Sequence, residues 1–236
     1  MKIARFNFDE KLHWLLPRLS RGDGFDYAFN GPQSVKHLIE SVGIPHTEIG
    51  ETRANEEVVS LDYLVHDGDR IEVRAVVPMD ESTDEPRFIL DGHLGRLASH
   101  LRMLGMDSLY RNDYNDNELF RIAVDENRIL LTRDRRLLMH KTIRLGYLLQ
   151  SLNSEEQFRE VVRRYGLKKW IKPFQRCIRC NHLLEPARKE DVLDRLQPLT
   201  KLYFEEFHIC PACNQIYWKG SHFERMQKMI DELKDL

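Results

Sequence analysis

Two sets of residues in this 236-residue chain are of types that do chemistry at defined spacings. All four cysteines fall in two pairs, Cys177-x-x-Cys180 and Cys210-x-x-Cys213, with 29 residues between the pairs. Paired knuckles of this kind form tetrahedral thiolate sites for structural Zn²⁺, and no thiol is left over. A redox dithiol is the alternative for a C-x-x-C. Each knuckle runs on into an asparagine, Asn181 and Asn214, which tolerates the left-handed turn a knuckle needs. The second set is carboxylates. Asp91, Asp113 or Asp116, and Asp134 each follow a short apolar segment. Gathered at one place, they would repel one another unless a hard cation with oxygen ligands, Mg²⁺ or Mn²⁺, neutralised them.

The segments that position these acids alternate in period. Phe88-Ile89-Leu90 reads as a strand ending in Asp91, and Leu94, Leu97, Ala98, Leu101 and Leu104 mark one helix face that Gly105 stops. Ser108–Tyr110 is a second strand, and Asn115 caps a helix carrying Leu119, Ile122 and Ala123. Arg128–Thr132 is a third strand, leading to Arg133-Asp134, and 143–149 is a fourth apolar run. Ser154-Glu155-Glu156-Gln157 has a capping-box pattern opening a helix through Phe158, Val161, Val162 and Tyr165. Strands alternating with helices imply a parallel sheet, and ligands bind beyond the carboxyl ends of such strands. Singly, each acid has another reading. Asp116 suits a helix N-terminus, Asp113 suits a turn, and Asp91 precedes Gly92. His93 reads as a hydrogen-bonded surface histidine.

Charge is segregated along the chain. Residues 1–82 carry 9 Lys/Arg against 15 Asp/Glu, whereas 139–176 hold 9 basic and 3 acidic residues, within a total of −2. The basic part suits phosphates. No run approaches the ~18 apolar residues of a bilayer span, and the start lacks a signal-peptide core. The expectation is a soluble, cytoplasmic protein with no membrane partner.

Residues 1–77 read as strand, strand, helix, strands. Ile3, Arg5 and Phe8 lie in the first strand and Phe25–Phe29 in the second; Ser34 caps a helix that Gly43 ends. Glu57-Val58-Val59 and Arg70–Val76 are further strands, the last entered by the turn His66-Asp67-Gly68-Asp69. This order resembles a ubiquitin-like β-grasp, and 35–48 and 67–73 resemble small sulfur-carrier proteins. Those act through a free C-terminal Gly-Gly, whereas this chain continues through Val76-Val77-Pro78-Met79, so a binding or scaffolding role is expected instead. The polar stretch 80–86 reads as a linker.

Phe88-Ile89-Leu90-Asp91-Gly92-His93-Leu94-Gly95-Arg96-Leu97-Ala98, Leu101–Gly105, Asn115–Leu119 and Arg128–Arg135 together resemble the mut-seven C-terminal RNase family. The resemblance implies an α/β chain of three parts: an N-terminal ubiquitin-like β-grasp (1–82), a PIN-like parallel-sheet nuclease domain (86–168) and a C-terminal zinc ribbon (169–236). By matching position it implies Asp91, Asp116 and Asp134 as Mg²⁺ or Mn²⁺ ligands, with Asp113 a weaker member. Carboxylate-held Mg²⁺ or Mn²⁺ supplies a nucleophilic water and stabilises the charge of phosphodiester hydrolysis. The fourth acid common in PIN-type sites is missing, since no acid lies between Asp134 and Glu155.

Arg96, Arg133, Arg135 and Arg136, with Arg163, Arg164, Lys168 and Lys169, are expected to hold RNA phosphates, and Thr132 to orient a ligand or water. Tyr217 and Trp218 either stack on unpaired bases or pack the ribbon's core. Apolar residues at 223, 226, 229, 230 and 233 mark a terminal amphipathic helix. The expected function is metal-dependent hydrolysis of RNA phosphodiesters. A non-catalytic RNA- or ribosome-binding protein is the alternative, and an adaptor whose acidic N-terminal domain recruits a protein partner is a third.

Overall fold

The computed structural model describes residues 1–77 and 84–234. In chain order come β1 (Lys2–Phe8), β2 (Phe25–Phe29), α1 (Val35–Ser41), β3 (Ile49–Ala54), β4 (Glu57–Val59) and β5 (Arg70–Ala75). There follow β6 (Phe88–Leu90), α2 (Gly95–Met103), β7 (Ser108–Tyr110), α3 (Asp116–Asp125), β8 (Ile129–Thr132), α4 (Arg135–Leu138), β9 (Gly146–Leu148) and α5 (Ser154–Arg164). The cysteine region adds β10 (Glu185–Ala187), α6 (Lys189–Val192), α7 (Pro198–Tyr203), β11 (Phe207–Ile209), β12 (Ile216–Tyr217) and α8 (Ser221–Lys234). The chain is mixed α/β. Most of the expected linker, 80–83, lies outside the described residues. Among those residues no helix is long and apolar enough to cross a membrane.

Two compact units form, and the chain passes between them more than once. One joins Met1–Val77 to Asp116–Leu149; the other takes the remaining described residues. In the first, five strands run in the order β2-β1-β5-β3-β4, with β1 and β5 parallel and the other pairs antiparallel. This is a β-grasp-like sheet. Alternation along β1 buries Ala4, Phe6 and Phe8, and α1 adds Val35, Leu38 and Ile39. Ser34 Oγ accepts the His37 N–H (3.2 Å), and Gly43 takes the left-handed φ of 98° that ends the helix. The turn before β5 is organised by Asp69, whose carboxylate accepts from His66 N–H (2.7 Å), Asn55 Nδ2 (2.8 Å) and the Tyr63 hydroxyl (3.1 Å). Strand β3 escaped the sequence reading. Its sequence, IGETRA, has a glycine at its second position and charges on its half-exposed positions.

The same unit contains α3, β8, α4 and β9. Strands β8 and β9 pair in parallel from Leu130↔Gly146 to Thr132↔Leu148, and every residue of both is buried. Polar groups of the N-terminal segment finish this pair. Glu48, itself buried, accepts the Leu148 N–H at 2.8 Å. His46 Nε2 donates to the Ile143 carbonyl at 2.6 Å while Nδ1 meets Glu40 Oε1 at 2.7 Å.

In the second unit β6 and β7 pair in parallel, Phe88↔Ser108 to Leu90↔Tyr110. Its core includes all of β6, Leu97 and Leu101 of α2, and Phe158, Val161 and Val162 of α5. The capping-box reading of α5 is corrected by one residue. Asn153 is the N-cap, its Oδ1 accepting from the N–H groups of Glu155 and Glu156, and Ser154 is the first helical residue. Three short antiparallel strands, β10-β11-β12, form the ribbon over a small core of Val192, Leu196, Phe207 and Ile216. Helix α8 buries Ile230 and Leu233, as its periodicity requires.

Candidate functional site

The four cysteine sulfurs lie within 4.8 Å of one another, the one such group of potential metal ligands among the described residues. Cys177 and Cys213 Sγ are 3.5 Å apart and Cys180 and Cys210 Sγ 3.3 Å. These separations are close to the ~3.8 Å between sulfurs around a tetrahedral ion with ~2.3 Å Zn–S bonds. Cys177 and Cys210 are fully buried, and all four are free thiols. The knuckle turns are as expected, with Asn181 at φ 75° and Asn214 at φ 58°.

Burial works against a thiolate at Cys177. The Tyr217 hydroxyl at 3.1 Å and the N–H groups of Cys180 and Arg179 outweigh it and bring the thiol down to about 7. Cys180 is pushed up to about 12, chiefly by burial and then by the neighbouring sulfurs, against the opposing pull of the His182 N–H. A soft four-sulfur donor set, two of its cysteines buried and two half-buried, propped by amide donors, fits a closed structural metal site. Tyr217 therefore has a role neither reading of the sequence foresaw. Its hydroxyl faces a ligand sulfur, and its ring, with Trp218, Phe174 and Phe223, lines a cavity of about 310 Å³.

Two further side chains fix the first knuckle. Arg102 of α2 is buried, donating from Nε to the Ser108 carbonyl (2.8 Å) and from Nη1 to the carbonyls of Ile178 (3.2 Å) and Arg179 (2.8 Å). Asn181 Oδ1 accepts the Ser108 N–H (2.9 Å) while its Nδ2 donates to Asp107 Oδ1 (2.7 Å). An arginine on the apolar face of a helix was the signal for the first; nothing local marks Asp107 and Ser108.

The acids are placed as follows. Asp91 directly follows β6 and is half-buried; its carbonyl accepts the Leu94 N–H (3.0 Å), and the Tyr110 hydroxyl pins the turn by donating to the Gly92 carbonyl (2.8 Å). Asp134 is exposed past the carboxyl end of β8 and N-caps α4, Oδ1 accepting the Arg136 N–H at 2.8 Å. Its own N–H donates to Thr132 Oγ1 (2.9 Å), so the buried threonine sets the turn that presents this aspartate. Asp116 is exposed at the first position of α3. Asp113 is engaged by Arg111 through two bonds, Nε to Oδ1 (2.9 Å) and Nη2 to Oδ2 (2.7 Å), which hold its carboxyl below the usual range.

Among the basic residues, Arg96, Arg133, Arg136 and Arg163 are exposed without an ion-pair partner among the described residues. Lys168 and Lys169 are also exposed, and Lys169 Nζ sits 5.6 Å from the centre of the Trp170 ring. Arg164 is half-buried. Arg135 is committed elsewhere: Nη1 donates to the Leu15 carbonyl at 3.0 Å, and the guanidinium lies 6.0 Å from the centre of the Trp14 ring. His93 is exposed.

The chain thus combines a β-grasp-like sheet, parallel α/β strands and a cluster of four thiols able to hold a metal ion, with Asp91 and Asp134 just past the ends of β6 and β8. A family model described as the Mut7-C RNAse domain matches residues 86–230, and one described as Mut7-C ubiquitin matches 1–84. The chain therefore belongs to the Mut7-C RNase family. No curated protein and no solved structure is a match for it.

Proposed function

We propose that the protein is a metal-dependent ribonuclease that hydrolyses RNA phosphodiesters. The observation carrying this reading is the RNase family match over 86–230, a span that includes Asp91, Asp116 and Asp134. These three would be the ligands of Mg²⁺ or Mn²⁺, their hard oxygen donors suiting such ions. When bound, the ion supplies an activated water and offsets the negative charge of the reacting phosphate. The chain's own part is to set the turns that carry two of those donors, through Tyr110 at Gly92 beside the half-buried Asp91 and Thr132 at the exposed Asp134. Arg96, Arg133 and Arg136 would draw in the phosphates. Arg135 is left out because its donors serve the N-terminal segment, and Asp113 because Arg111 occupies it. Cys177, Cys180, Cys210 and Cys213 would hold a structural Zn²⁺.

In this reading the chain divides functionally into the β-grasp (1–82), the nuclease (86–168) and the ribbon (169–236), and it acts in the cytoplasm. The acidic β-grasp is the part that would meet a protein partner.

One observation favours a second reading, RNA or ribosome binding without cleavage. No acid lies between Asp134 and Glu155, and Glu160, further along α5, spends both oxygens on the N–H groups of Gln150 and Ser151 at 2.9 Å. Cleavage of a labelled single-stranded RNA in EDTA, Mg²⁺ or Mn²⁺ separates the two. The ribonuclease reading expects metal-dependent cutting by the wild type that is lost in Asp91→Asn and Asp134→Asn. Binding without cutting across a broad panel of RNAs would establish the second reading instead.

A further inference from the structure

A groove of about 500 Å³ lies at the opposite edge of the β8–β9 pair from Asp134, where α3 turns into β8 and the 140–145 loop enters β9. Its cations are Arg128, Lys141 and Arg144, its neutral polar groups include Asn127 and Thr142, its remaining walls are apolar, and no acid lines it. Lys141 and Arg144 are exposed and have no ion-pair partner among the described residues. Arg128 is almost wholly buried, oriented by Nε donation to Glu126 at 2.7 Å.

The loop carrying the two exposed cations is held rigidly. The His140 ring stacks on Phe120 of α3 at 3.9 Å and 8°. Further along, the Ile143 carbonyl accepts from His46 (2.6 Å) and the Leu145 carbonyl from the Leu130 N–H (3.1 Å). With the loop backbone already fixed, only the two long side chains need ordering on meeting an anion, and a groove lined by cations and no acid favours a polyanion. Asn127, in the left-handed region at φ 48°, makes the tight turn that brings Arg128 beside the loop.

We propose that this groove is a second RNA site, gripping the phosphodiester backbone at a distance from the acids. The proposal rests on the ribonuclease reading and deepens it: the substrate is a strand long enough to occupy both edges of the sheet, not a dinucleotide. Four strand residues at ~3.3 Å each, with the flanking turns, separate the edges by on the order of 15 Å. An RNA backbone is favoured over an acidic peptide because the apolar walls between the cations suit a ribose and base face, and because the chain is of an RNase family.

The test compares the full-length chain with its Lys141→Gln/Arg144→Gln variant, both carrying Asp134→Asn so that RNA is not consumed. Fluorescence anisotropy of a labelled single-stranded RNA is measured over a salt series. Losing two phosphate contacts lowers the slope of log K against log salt by about 1.4 and weakens binding near 0.1 M salt roughly tenfold. With Asp134 restored, the variant cuts a trinucleotide at the parent's rate and a long RNA with a raised KM. Equal affinity and slope in the two proteins overturn the groove and leave the ribonuclease reading standing; a parent that binds no RNA overturns both. Loss of polyglutamate binding with RNA binding intact assigns the groove to an acidic protein and overturns the proposal.

Discussion

The cysteine cluster and the aspartates hold opposite kinds of donor in opposite settings. At the cysteines, four sulfurs would fill a tetrahedral ion's positions and leave none for a reactant, and Cys177 and Cys210 are buried. At the aspartates, Asp116 and Asp134 stay exposed, and at Asp134 the chain fixes the turn through Thr132 and one carboxylate oxygen through the Arg136 N–H. Soft ligands in a closed site contribute folding energy; hard ligands in an open one leave coordination positions for water and substrate.

Breaking the closed centre is expected to have the largest effect. Cys210→Ser, or stripping metal with a chelator, removes on the order of 10 kcal/mol of metal-linked folding energy. One Zn²⁺ per chain by elemental analysis, and loss of the ribbon's near-ultraviolet dichroism without it, are the expected readings. Next is Arg102→Leu, which strands the buried Ser108 carbonyl and removes the donor to the part-buried carbonyls of Ile178 and Arg179, at about 3 kcal/mol in denaturant unfolding. A variant as stable as the parent would mean that the knuckle does not need its support. At the proposed catalytic acids, Asp91→Asn and Asp134→Asn are each expected to slow cleavage at least ~100-fold, about 2.7 kcal/mol, while the melting temperature moves little.

Smaller again is Asp69→Asn in the β-grasp turn, at about 2 kcal/mol. Burial alone would raise the Asp69 pKa, but the His66 N–H, the Asn55 amide and the Tyr63 hydroxyl lower it below the usual value. The folded state therefore binds this proton less readily than the unfolded chain does. The contribution is full above the ordinary aspartate pKa near ~4 and is lost as pH falls through the lower folded value. Melting curves of parent and variant, well separated at pH 7, should converge below about pH 4. Asp113→Asn is the smallest: with Arg111 as its partner and no part in catalysis, cleavage should stay within about twofold. A large loss there would return Asp113 to the acid cluster.

Much of this was legible because the signals are local. A capping serine, Gly43 and Gly105 at helix ends, the apolar runs of β6 and β8 and the two knuckles each declare themselves within a few residues. The positions of Asp91 and Asp134 past their strands follow from those runs. What stayed hidden depends on distant partners. Strand β3 is defined by pairing with β4 and β5, Arg102 by carbonyls 76 and 77 positions away, and Glu48 by an N–H 100 residues on. Arg135 looked like a phosphate ligand because sequence shows its charge but not the Leu15 carbonyl that accepts from it. Between the knuckles, β10, α6 and α7 were unread because their segments are too short to carry a period.

The N-terminal segment shares its unit with Asp116–Leu149. During synthesis, Glu48 and His46 emerge about a hundred residues ahead of Leu148 and Ile143, the backbone groups they serve. The β-grasp is thus not a tag that can be clipped off or moved to another chain unchanged. Cutting after Val77 would strip Leu148 and Ile143 of their side-chain partners and leave the buried Glu48 carboxylate without its amide.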